Sequence, residues 1–145
     1  LLLWGSAADI DTIFVLQKRA VRAVYKMGPR ESLRNKFKDF NILTLHSQYI
    51  YDNLVYVHKN INKFNKNSDL HQYNLRNKNK LAVPFSRLHK VSHSFVGQSI
   101  HFYNKLPNDV VNLSLNKFKK VVKHRLCQKA YYSVKDYVRD KDVWK

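Results

Sequence analysis

The stretch DIDTIFVLQKRAVRAVYKMGP, residues 9–29, decides how this chain folds. A helix advances about 100° per residue, so Ile13, Leu16, Ala20, Val24 and Met27 fall on one side, with Ile10 and Val21 at the margin. Lys18, Arg22 and Lys26 form a row at i, i+4, i+8 on the opposite side, and Arg19 flanks it. Asp9 or Asp11 is placed to cap the start, where negative charge also suits the helix dipole. Gly28 and Pro29 are expected to end the helix. The result is a rod with an oily side, expected to face inward, and a cationic side, expected to face out. An ordinary surface helix shows the same pattern, so the weight given to the cations depends on the rest of the chain.

The rest of the chain is strongly basic. Lys and Arg number 27 against 10 Asp and Glu, for a net charge of +17, and Glu31 is the single glutamate. Such a surface binds polyanions, nucleic acid most simply, by displacing condensed counterions. An acidic membrane is the rival polyanion, but no apolar run approaches the ~20 residues of a spanning helix, and no membrane partner is expected. With 145 residues, 44% of them hydrophobic, the chain has enough apolar material for a real core. Three Gly and three Pro argue against a loop-rich or all-β design. The lone Cys127 precludes an internal disulfide and suits an intracellular setting, nuclear or cytoplasmic. The opening LLLWG lacks an initiator Met and is expected to continue a longer polypeptide.

Further helices follow in order. Residues 32–40 place Leu33, Phe37 and Phe40 on one face, with Arg30, Arg34, Lys36 and Lys38 around it. Thr44 is the expected N-cap of a helix over 45–60. Its apolar face is Ile50, Leu54, Val57 and Ile61, widened by Tyr49 and Tyr56; His46, Asp52, Asn53 and Lys59 form its polar face. Residues 60–80 hold seven Asn and five Lys or Arg without a sustained period, and predict a basic loop. In it Tyr73 and Arg76 form a stacking and phosphate-binding pair suited to single strands. Residues 81–85 are extended before Pro84, at most a short strand. Ser94 caps a helix over 95–105, Pro107 ends it, and Ser114 caps a last long helix over 115–132. That helix carries Leu115, Phe118, Val122 and Leu126 on one side and Lys117, Lys120, Lys123 and His124 on the others. A short helical segment within 134–144 closes the chain. The expected fold is mainly α: about five helices in an irregular bundle. Its parts are residues 1–30, 31–60, the loop 61–93, and the basic region 94–145, all within one domain.

No catalytic set emerges. Metal-dependent nucleotidyl transfer needs acids holding cations about 4 Å apart, and no adjacent acid pair sits on an apolar strand. His89 and His93 have the spacing of a zinc pair but lack the intervening Glu and a third ligand. Cys127 lies between Leu126 and Gln128 as a small buried hydrophobe. Gly5, Gly28 and Gly97 are too far apart for a phosphate-cradling loop. What remains is binding of backbone phosphate by Lys18, Arg19, Arg22 and Lys26 at one end of the chain and Lys117, Lys120 and Lys123 at the other.

Several short motifs, in order, resemble a known family. LWGS at 3–6, LQKRAVR at 16–22, FNILTL at 40–45, YNLR at 73–76, YNKLP at 103–107 and Phe118-Lys119 in a basic helix are similar to the region after the palm of non-LTR (LINE-type, jockey-like) retrotransposon reverse transcriptases. The resemblance implies a helical thumb and C-terminal portion that grips template–primer or element RNA. Its partners would be RNA, an RNA–DNA or DNA duplex, and the palm and fingers region in cis. The aromatic-Ala-Asp-Asp motif of such enzymes is absent here. Catalysis and its Mg would therefore belong to the palm, and no cofactor is expected in this chain. The alternative is a stand-alone, truncated or domesticated basic helical module for nucleic-acid or protein interaction.

Overall fold

The computed structural model describes residues 1–3, 5, 7, 9–70, 76–84, 87 and 94–144. Among these residues the chain forms eight α-helices and no sheet. They are α1 (Ile10–Val24), α2 (Arg34–Asp39), α3 (Leu45–Lys59), α4 (Asn67–Leu70), α5 (Phe95–Tyr103), α6 (Asn108–Val111), α7 (Leu115–Lys129) and α8 (Val134–Arg139), with a 3₁₀ turn at Ile61–Lys63. The mainly helical bundle matches the sequence, with eight helices rather than about five. The additional elements are short ones, α4 and α6 among them, whose four residues are too few to show a period. The place expected for a short strand holds an isolated antiparallel bridge between Lys66 and Leu81.

Helix α3 is the centre, with α1, α5, α7 and α8 packed around it. Tyr49, Ile50, Leu54 and Val57 are buried in one core with Phe102, Phe118, Val122, Leu126 and Tyr137. A smaller core joins Ile10, Phe14 and Val21 of α1 to Leu33, Phe37, Leu45 and Ala130. The expected polar face of α3 is split: His46 and Asn53 are buried, Asp52 is half-buried and Lys59 is exposed. Asn53 Nδ2 donates to the Tyr49 carbonyl at 2.7 Å, while its buried Oδ1 has no hydrogen-bond partner among the described residues.

The start of α3 is a junction. The Thr44 side chain accepts from Ser47 N, as an N-cap should, and its hydroxyl donates to the Tyr131 carbonyl. Ser47 Oγ accepts in turn from Tyr131 N at 3.2 Å. The backbone after α7 is therefore fastened to the N-terminus of α3. Gln17 of α1 adds a second clamp. Its Nε2 donates to Leu43 O at 2.9 Å and its Oε1 accepts from Leu45 N at 2.8 Å. One amide side chain thus satisfies a donor of the α3 first turn that no intrahelical bond can reach.

The helix ends also depart from expectation. Asp9 is the N-cap of α1 by position, but neither it nor Asp11 makes a side-chain cap bond there. At the other end Lys26, not Gly28, takes the left-handed conformation, with φ 51°. Met27 N donates to Arg22 O and Lys26 N to Ala23 O, the paired bonds of a Schellman ending. Asn41, at φ 52°, ends α2 in the same way, with Ile42 N on Phe37 O and Asn41 N on Lys38 O. Ser94 caps α5 with its side chain, whereas Ser114 occupies the cap position of α7 without a side-chain bond. The described parts of the Asn-rich stretch, residues 60–70 and 76–80, hold regular turns and paired backbone. Ala82 N donates to Asn65 O, Asn67 N to Lys80 O, and Lys66 N to Asp69 Oδ2.

Candidate nucleic-acid interface

The basic residues of α1 are best located by how the helix is rolled. The buried line is Ile10, Phe14 and Val21, with Gln17 half-buried between them. The predicted inward line is instead open: Ile13, Leu16 and Val24 are 38%, 56% and 73% exposed, and Ala20 is exposed with them. Of the predicted inward residues, Met27 is half-buried against the smaller core, and Ile10 and Val21, expected at the margin, are buried in it. The physical reason is Phe14, whose ring packs edge-on against His46 and Tyr132 at centroid distances of 5.1 and 5.0 Å. One aromatic anchor buries more area than several small aliphatic residues and sets the roll.

That roll leaves Arg19 and Lys26 exposed and Lys18 and Arg22 half-buried. Lys18 Nζ lies 4.7 Å from the Phe14 ring centroid. Arg22 Nη2 donates to Glu31 O at 3.1 Å, while Glu31 Oε1 accepts from Gly28 N at 2.9 Å. Arg22 is therefore partly structural: it fastens the turn that follows α1. Sequence spacing shows the row Lys18, Arg22, Lys26 but not this bond across the turn.

On α7 the expected sides hold, except that Leu115 is only half-buried and the helix ends at Lys129 rather than 132. Phe118, Val122, Leu126 and Cys127 are buried, and Lys117, Lys120, Lys123 and His124 are exposed. Burial pushes the Cys127 thiol up from its ordinary pKa, which fits an inert core residue. Lys123 and Gln17 line the same small cleft, of about 340 Å³, with Asn41, Ile42, Leu43, Leu45 and Gln48. The middle of α7 and the half-buried Gln17 of α1 thus line one cleft. Arg76 is exposed in the segment before Leu81, and Tyr73 lies outside the described residues, as do His89 and His93.

Acidic groups are spent elsewhere. Lys129 Nζ is 3.0 Å from Asp140, whose Oδ2 also accepts from the Tyr131 hydroxyl at 2.6 Å. These bonds hold the Asp140 carboxyl down at about 2. Asp11 lies 3.3 Å from Nε2 of buried His46. Burial lowers the His46 pKa more than Asp11 raises it, so this imidazole is neutral at pH 7. Lys105 donates through Nζ to the carbonyls of Tyr137, Val138 and Asp140, and so closes the C-terminal end of α8 rather than facing a ligand.

Among the described residues no group of three His, Cys, Asp or Glu could hold a metal ion, and no helix is long and apolar enough to cross a membrane. Arg19, Lys26, Lys117, Lys120 and Lys123 stand exposed, and among the described residues none of them forms an ion pair with a carboxylate. No protein-family model matches the chain, and comparison with curated proteins and with solved structures finds no significant match.

Proposed function

We propose that the chain binds the phosphate backbone of nucleic acid through α1 and α7, as the thumb and C-terminal portion of a non-LTR retrotransposon reverse transcriptase would. The observation that carries this reading is the set of exposed, carboxylate-free cations on these helices, in a chain of net charge +17. Folding that leaves cations on the surface without acids beside them keeps them available to phosphate. The ordered motifs from LQKRAVR to YNKLP supply the polymerase context. Chemistry and its Mg are assigned to the palm in cis, and this chain to grip. An intracellular location, nuclear or cytoplasmic, goes with that role.

The same surface in a stand-alone module would bind nucleic acid equally well. The test is fluorescence anisotropy with an RNA–DNA duplex and a structured RNA. Charge reversal at Arg19 and Lys26, or at Lys117, Lys120 and Lys123, should weaken binding to both while the circular dichroism spectrum is kept. Unchanged affinity in both variants would overturn the proposal.

A further inference from the structure

The open side of α1 does not suit nucleic acid. Ile13, Leu16, Ala20 and Val24 recur at i, i+3, i+7 and i+11, and all are exposed. A phosphate backbone offers them nothing apolar, so the basic row alone leaves this stripe in water. The stripe has a cationic border on each side. Arg19 follows it round the helix on the open side. On the closed side lies the cleft of about 340 Å³ that Gln17 lines together with Lys123, Asn41 and Gln48. Gln17 is four residues after Ile13 and three before Ala20, so the cleft opens beside the middle of the stripe.

We propose that this face of α1 is the docking site for a helix of a partner protein whose own apolar stripe is flanked by Asp and Glu. The mode is helix-in-groove recognition. Apolar side chains of the partner cover Leu16 and Ala20, and one enters the cleft beside Gln17. Its acids meet Arg19 and Lys123, and the charge complementarity selects the partner and speeds encounter. A second copy of this chain is a poor occupant. The only acid within α1 is Asp11, at one end of the stripe, and two such faces would bring Arg19 against Arg19. A bilayer is a poor occupant as well, because the cleft is a concavity that a protruding side chain fills and a flat surface does not. The apolar stripe is a different face of α1 from the row Lys18, Arg22 and Lys26, whereas its charged borders, Arg19 and Lys123, also belong to the phosphate-binding set.

The experiment uses a synthetic helical peptide with Leu at i, i+3, i+4 and i+7 and Glu on both flanks. A second peptide of equal charge has the leucines scrambled out of register. The full chain should bind the first and not the second. Leu16→Asp combined with Val24→Asp should weaken binding about tenfold or more. Val15→Ser, at an exposed position outside the stripe, should leave it unchanged. Circular dichroism and the urea midpoint serve as folding controls, and the double variant should keep both. Equal binding of the scrambled peptide, or no binding of either, would overturn the proposal. So would a Leu16-dependent self-association seen by sedimentation without peptide. Leu16-dependent binding to phosphatidylserine vesicles but not to the peptide would also overturn it, in favour of a membrane.

Discussion

The ring of Phe14 meets the ring of Tyr132 edge-on, at 5.0 Å and 84°, and this contact fixes which side of α1 faces solvent. Phe14 is 4% exposed, whereas Leu16, two residues on, is 56% exposed. Phe14→Ala should therefore cost about 3–4 kcal/mol. Leu16→Ala should change stability by no more than about 0.5 kcal/mol. Urea unfolding of the two variants checks this, and a larger loss at Leu16 would show the helix rolled the other way.

Lys26 separates stability from binding. Its φ of 51° is costly for a side chain with a Cβ, and the residue is exposed, so few contacts are lost with it. Lys26→Gly should raise stability by about 0.5–1 kcal/mol while weakening duplex binding, because one cation leaves the row. A destabilised variant with intact binding would contradict both assignments.

His58 is stacked on Phe118, with centroids 3.8 Å apart and planes within 3°. Its Nε2 is 3.0 Å from Leu113 O and its Nδ1 3.0 Å from the Tyr103 hydroxyl, which suits a neutral ring donating at Nε2 and accepting at Nδ1. Burial lowers the pKa of His58 below 6.5, against the smaller opposing effect of the bond to Leu113, and burial lowers that of His46 as well. Between these lowered values and the ordinary 6.5, the unfolded chain holds more protons than the folded one. Stability should thus fall as the pH drops through this window. The urea midpoint measured from pH 7.5 to 5 tests this. His58→Gln should flatten the dependence, and a flat wild-type profile would count against neutral buried imidazoles.

Asp140 acts at the opposite end of the scale. Its carboxyl, held at about 2 by Tyr131 and Lys129, contributes stability that is complete above its ordinary range near 3.8 and is lost as the pH falls through about 2. Asp140→Asn should cost about 1–2 kcal/mol at neutral pH. The difference from wild type should close in strong acid, which thermal melts at neutral and acid pH would reveal.

Local signals in the sequence carried much of this architecture. Thr44 and Ser94 are caps because a small hydroxyl before an apolar run has few other uses, and both bond as expected. Phe118, Val122 and Leu126 face the core because α7 has one dense apolar side and lysines elsewhere. The roll of α1 was not legible, since Phe14 and the stripe of Ile13, Leu16 and Ala20 compete for the interior on nearly equal terms. Only the pocket formed by His46, Phe37 and Tyr132 decides between them. The same holds for Gln17, Arg22 and Asn53. Their roles lie in bonds to backbone carbonyls that periodicity does not encode. Of the candidate site, the exposure of Arg19, Lys26 and the α7 lysines was legible, and the half-buried settings of Lys18 and Arg22 were not.

The central claim is that exposed cations of α1 and α7 hold phosphate. It is tested most directly by the slope of log K against log salt for duplex binding. The account predicts a steep negative slope, about 0.9 per phosphate neutralised. The slope should become shallower by about one for each of Arg19, Lys26, Lys117, Lys120 and Lys123 replaced by Ala. A flat salt dependence, or a slope these replacements leave unchanged, would contradict it.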